Sequence, residues 1–337
     1  MQAILLVTLP FFALVLAGWV AASRGWLPAQ AIPGLNAFVL FFALPAMLFR
    51  FGRSTPIGQL LDPVLLALWI LCALVIVVFT VALTLGPRVR LKDAAFGALV
   101  AAFPNTGFMG VPLLVALLGP SAAGPAITTI LVDIFITTSV CIGIAQAHGA
   151  AGQGPRVAVG RALRGAAGNP LPWAVALGAL WGAMGWQLPA PADRVITMLA
   201  DAASPVALFT IGAVLWRTSR GARSVGAAHG DEGGPAPAPQ RPAGVWPVVA
   251  VKLLLHPTLV LLSGASAISL GLPLDRFALM VVTLVAALPS ASNVSLLTER
   301  YGADTGRVAR IILITTVAAF GTFAFVGWVF GIDPSPR

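Results

Sequence analysis

The run Phe103-Pro104-Asn105-Thr106-Gly107-Phe108-Met109-Gly110-Val111-Pro112 lies inside an apolar stretch at about 94–118. Its residue types can bind an anion there. Proline has no N–H and clashes with the preceding turn, so a helix breaks at it. Asn105 offers two donors and an acceptor, and Thr106 a hydroxyl. Irregular backbone at membrane depth survives only inside protein or beside a water-filled cavity. A half-helix that restarts there presents free N–H groups and about half a positive charge, a ready site for a carboxylate. A second such run is Leu288-Pro289-Ser290-Ala291-Ser292-Asn293. Pro104, Asn105, Thr106 and Gly107, with Pro289, Ser290, Ser292 and Asn293, are therefore the candidate substrate-binding residues. The competing reading is that the prolines kink buried helices and the asparagines bond neighbouring ones.

Charged and amide side chains elsewhere in apolar stretches extend the set. Asp133 is an intramembrane carboxylate, expensive and so functional by default, and it either binds a coupling proton or plays a hydrogen-bonded structural part. It stands between Val132 and Ile134 rather than beside a second carboxylate. Lys252 is either an electrostatic partner for an anion or for Asp133, or a snorkelling side chain. His256, four residues on, shares its helix face and reads as an anchor. Asn36 either faces the binding region or bonds a neighbouring helix. Asp201, with Ser204-Pro205 behind it, reads as structural. Cys72 and Cys141 have no CxxC spacing and the three histidines no ligand spacing, so neither a metal nor any other cofactor is expected.

These residues need spans to hold them. The chain is 58% hydrophobic and 9% charged, against roughly 25% charged in soluble domains. A crossing helix needs about 20 apolar residues. Ten such stretches are expected, near 3–22, 31–50, 63–85, 93–118, 122–147, 170–187, 192–216, 246–270, 276–298 and 308–330. The result is an all-α polytopic membrane protein, the stretches being too long and too evenly apolar for barrel strands. The first lacks a basic start and is expected to be a retained helix rather than a signal peptide.

The net charge of +9 does not point to nucleic acid, because the basic residues sit at span ends. With ten spans, fourteen of them fall in loops on one side and five on the other. Positive loops stay in the cytoplasm, so both termini are expected outside, in the cytoplasmic (inner) membrane.

Residues 43–49 match 203–209 at four of seven positions, offset 160, and 98–104 match 283–289 at five of seven, offset 185. The second match aligns Pro104 with Pro289. A Gly/Pro-rich tether in the loop at 217–245 accounts for the change of offset. This gives a first five-helix repeat over 1–150, a cytoplasmic linker over 151–168 and a second repeat over 169–333. Five spans per half make the repeat inverted. Spans four and nine would then meet, broken, near the midplane.

The chain resembles the auxin efflux carrier family, which includes bacterial carriers for malonate and other organic acids. The resemblance rests on Leu35-Asn36 with Leu44-Pro45-Ala46, on Phe103 to Gly107 with Gly110-Val111-Pro112, on Lys252 to Pro257, and on Ala287-Leu288-Pro289. It implies the crossed-broken-helix fold of sodium/proton antiporters and bile-acid symporters. Spans 1, 2, 6 and 7 would form a scaffold that pairs two copies into a homodimer, and spans 3–5 and 8–10 a moving transport domain.

The expectation is a secondary carrier of small organic anions, mono- or dicarboxylates, working by elevator-like alternating access with possible proton or sodium coupling. The alternative is a sodium-coupled bile-acid-type symporter. An intramembrane enzyme lacks its motifs (no HExxH, no GxSxG), and a channel calls for a ring of filter elements.

Overall fold

The computed structural model describes residues 2–56, 58, 62–146, 170–227 and 243–332. The expected linker over 151–168 lies outside them, as does most of the loop expected at 217–245. The described residues form α1 (Gln2–Ser23), α2 (Ala31–Ser54), α3 (Pro63–Thr84), α4 (Leu91–Ala102), α5 (Thr106–Leu118), α6 (Pro120–Gln146), α7 (Pro170–Ala183), α8 (Ala190–Ala227), α9 (Val245–Ser269), α10 (Arg276–Ala286), α11 (Val294–Tyr301) and α12 (Thr305–Val329). There is no strand among them, only two isolated bridges.

Six helices, α2, α3, α6, α8, α9 and α12, are long and apolar enough to cross a membrane, and shorter apolar helices lie at Leu9–Ser23, α5, α7 and α10. The shortfall from ten has a local cause at two places. The stretches at 93–118 and 276–298 are each split, so neither half reaches full span length. A third, α7, starts where the described residues resume. Helix α8 runs on to Ala227, well past 216, so the first part of the loop expected at 217–245 is helical.

The few acids explain where helices begin. Asp62 Oδ1 accepts from the N–H groups of Val64 and Leu65 at the start of α3, both at 2.9 Å. Asp275 caps α10 through Ala278 N–H, and Asp304 caps α12 through Arg307 N–H. Such side chains satisfy donors that a helix start leaves free. Three helices carry a wide, π-type turn, at Val39–Ala43, Thr106–Gly110 and Val251–Leu255, that ends two residues before a proline: Pro45, Pro112 and Pro257. Proline has no N–H to give and its ring pushes on the carbonyl four residues back, so the turn opens. A fourth wide turn, Asp133–Thr137, has no proline behind it.

Helix α1 packs on α8, and α2 packs on α7 and α8. The seams are closed by glycine. A Cβ on Gly18 would collide with the Phe209 carbonyl, and one on Gly212 with the Val15 carbonyl. The α2–α7 seam repeats this: Gly178 meets the Phe49 carbonyl and Gly52 the Val175 carbonyl. Residues 15, 18, 49 and 52 become 175, 178, 209 and 212 on adding 160, the offset of the sequence match. Ion pairs of 2.8 Å, Arg50–Asp201 and Arg53–Asp193, also join α2 to α8. Helices α3, α6, α9, α11 and α12 pack on α4, which is buried on every side from Ala94 to Ala102. A helix apolar all round belongs in an interior, so protein, not lipid, surrounds its broken end.

Candidate functional site

Helix α4 stops at Ala102 and α10 at Ala286, and the two breaks pair as a single antiparallel bridge, Pro104 with Ser290. Asn105 N–H donates to the Pro289 carbonyl at 2.8 Å, and Ala291 N–H donates to the Phe103 carbonyl at 3.0 Å. In this pattern the central pair exchanges no hydrogen bond. Pro104 therefore sits where its missing N–H leaves nothing unpaired. Across this bridge Asn105 faces Pro289 and Phe103 faces Ala291.

The side chains of the breaks divide into supports and wall. Ser290 is fully buried; its hydroxyl donates to the Val100 carbonyl at 2.6 Å and its N–H to Thr315 Oγ1 at 3.2 Å. Thr106, also fully buried, turns its hydroxyl back to the Pro104 carbonyl. Gly110 passes under Leu288, whose side chain a Cβ there would strike. Asn105 is 3% exposed, and its Oδ1 has no protein partner. Gly107 is half-buried, Pro104 and Pro289 buried.

A cavity of about 200 Å³ opens beside the pairing. Ser292, Asn293 and Ser295 line it from the second break, and Asn36 from α2. Asn293 Oδ1 has no protein partner. Phe108, Leu40 and Val214 supply apolar wall. Arg217 of α8 completes the lining. The structure thus brings Asn36, Ser292 and Asn293 to one space, while Pro104, Asn105, Thr106, Gly107, Pro289 and Ser290 are not part of its lining. Sequence reading missed Arg217, counting it as a loop charge. The signal was available: Val214 and Arg217 are three apart and share one helix face if the helix continues.

Asp133 and Lys252 lie in a second buried polar group. Asp133 Oδ1 accepts from Trp69 Nε1 at 3.1 Å and from Thr137 Oγ1 at 3.0 Å, while its Oδ2 has no protein partner. Lys252 is fully buried rather than snorkelling; the wide turn at Val251–Leu255 carries it inward. Its Nζ donates to the Ala286 carbonyl at 3.1 Å and lies 3.2 Å from His256 Nδ1. Ala286 is the last residue of α10, so Nζ sits at the negative end of a half-helix. The His256 ring in turn lies 5.3 Å from the Trp69 ring, tilted at 45° to it. Asp133 and Lys252 are thus members of one buried network without a direct hydrogen bond between them. Asp201, by contrast, is occupied by Arg50 at the rim.

The family model described as "Membrane transport protein" matches residues 3–326. A "Putative malonate transporter" of Rhizobium meliloti is 30% identical over 316 residues, covering 93% of this chain and 92% of the relative. The "Uncharacterized transporter YfdV" of Escherichia coli (strain K12) is 26% identical over 328 residues, covering 96% and 95%. An "Uncharacterized transporter" of Methanothermobacter thermautotrophicus is 26% identical over 309 residues, covering 90% and 91%.

Proposed function

The chain belongs to the membrane transport protein family, that of the auxin efflux carriers, and from that premise we propose that it is a secondary carrier of small organic anions, mono- or dicarboxylates. The observation that carries the reading is the paired break itself. Two helices stop inside protein, hold each other through Asn105 and Pro289, and leave a cavity that Asn36, Ser292 and Asn293 help to line. Neutral donors beside restarting helix ends suit a carboxylate. The relative named for malonate supports the substrate class.

In this reading the chain is an inverted repeat of five spans and five, with spans four and nine crossed, and lies in the cytoplasmic membrane with both termini outside. The glycine contacts at an offset of 160 support the two-fold. Helices α1, α2, α7 and α8 form the scaffold, and a homodimer would pair through it. The rest moves as the transport domain, carrying the crossing from one face to the other. Asp133 is the coupling candidate. The other acids with described side chains cap helices, pair with arginine or, like Asp93, accept a backbone N–H. Asp133 alone is buried with a free oxygen.

Lys252 argues against the sodium-coupled bile-acid alternative, since its Nζ already occupies the carbonyl end of α10. The cavity, at about 200 Å³, is also smaller than the roughly 300–1,000 Å³ of sites for drug-sized ligands. The test is counterflow of labelled mono- and dicarboxylates in proteoliposomes, with and without sodium and a pH gradient. Saturable carboxylate exchange without sodium is expected. No exchange of any carboxylate would overturn the reading, and strict sodium dependence would favour the alternative.

A further inference from the structure

The cavity walls differ in charge. Asn36, Ser292, Asn293 and Ser295 contribute neutral hydrogen-bonding groups, and Arg217 a full positive charge. Arg217 is half-buried and belongs to α8, not to either broken helix. Among the described residues, the ion pairs of α8 are Arg50–Asp201 and Arg53–Asp193, in its N-terminal half. Among the described residues, no carboxylate forms an ion pair with Arg217. A planar guanidinium takes a carboxylate through two parallel hydrogen bonds, which makes it a reader of geometry as well as of charge. Leu40, Phe108 and Val214 give the same cavity the apolar wall that a short carbon chain needs.

Resting on the carrier reading above, we infer that Arg217 reads a second acidic group, so that the preferred anion is a short dicarboxylate. One carboxylate lies against the amide and hydroxyl groups of the crossing and the other on Arg217. Because these partners lie on different helices, one side chain on α8 decides between a diacid and its monoacid analogue.

The experiment measures inhibition of uptake in proteoliposomes by malonate, by its monoamide and by propionate, for the full-length wild type, Arg217→Gln and Arg217→Lys. The wild type is expected to prefer malonate over the other two. Arg217→Gln should weaken malonate roughly ten- to a hundredfold, the worth of a charge-assisted hydrogen bond, and leave the monoamide and propionate unchanged. Arg217→Lys, which keeps the charge and loses the fork, should fall between. Melting temperatures of the purified variants report assembly, and if Arg217→Gln does not assemble, Arg217→Lys carries the same comparison. Equal weakening of all three ligands, or a wild type that takes malonate and its monoamide alike, overturns the assignment of Arg217 and leaves the carrier reading standing. A wild type that moves no carboxylate overturns both.

Discussion

Asn105 N–H and the Pro289 carbonyl meet at 2.8 Å, so each helix break is held open by the other. Neither half of the chain could form this element alone. The paired backbone takes up polar groups that would otherwise be stranded among apolar helices, which is the condition for irregular structure at membrane depth.

Proline keeps the breaks from closing. With Pro104→Ala, position 104 regains a donor whose helical acceptor is the Val100 carbonyl, now bonded by the Ser290 hydroxyl. A continuous helix would displace Ser290 and withdraw Asn105 N–H from Pro289. Pro289→Ala would act in the same way through the Val285 carbonyl. Proline disfavours a helix interior by about 3 kcal/mol, so replacing it favours the continuous helix, and both variants should lose transport with an unchanged or raised Tm. Pro257, which follows a wide turn but pairs with no second break, should give a milder loss when replaced by Ala. Uptake and Tm of the three side by side decide it, and normal transport by the first two would sink the placement of the site.

Ser290 and Asn293 should part company. Ser290→Ala removes a buried bond of 2.6 Å, worth about 0.5–1.5 kcal/mol, and should lower Tm with little change in substrate affinity. Asn293→Ala takes a group from the cavity wall and should lower affinity, roughly tenfold, at unchanged Tm. Affinity by ligand-induced thermal shift on purified protein separates the two. The opposite pattern would put the substrate on the Ser290 side of the bridge.

The breaks were legible in the sequence because Pro-Asn-Thr-Gly and Pro-Ser-Ala-Ser-Asn cannot continue a helix in so apolar a setting. Their register was not. Which carbonyl Asn105 reaches depends on how two distant helices meet. The direction of Lys252 was hidden for a related reason: the wide turn before Pro257 rotates it inward, and helical spacing alone does not carry that. Arg217 was misread because a charge at the end of an apolar run looks like a loop residue until α8 is seen to continue past it.

Asp133→Asn keeps a side chain able to accept from Trp69 and Thr137 while removing its proton chemistry. If Asp133 carries a coupling proton, the variant should lose any dependence of net transport on a pH gradient and keep substrate counterflow. Full pH dependence in Asp133→Asn would move coupling elsewhere. Loss of both activities with a lowered Tm would give Asp133 a structural role.

The glycine seams test the two-fold. A Cβ at Gly18 meets a backbone oxygen of α8, and one at Gly178 a backbone oxygen of α2. A carbonyl cannot swing aside as a flexible side chain can, so the helices must separate. Overpacking of this kind costs about 1–3 kcal/mol. Gly18→Ala and Gly178→Ala should therefore lower Tm by similar amounts, although one lies on α1 and the other on α7. Gly321 is the control: it lies within α12 with nothing near its missing Cβ. Gly321→Ala should leave Tm unchanged or raise it, since Ala is the better helix former by about 1 kcal/mol. Helix packing that obeys a common two-fold has to be sensitive at both members of each pair. If Gly18→Ala destabilises and Gly178→Ala does not, the offset of 160 is a coincidence of sequence and the two halves are not equivalent.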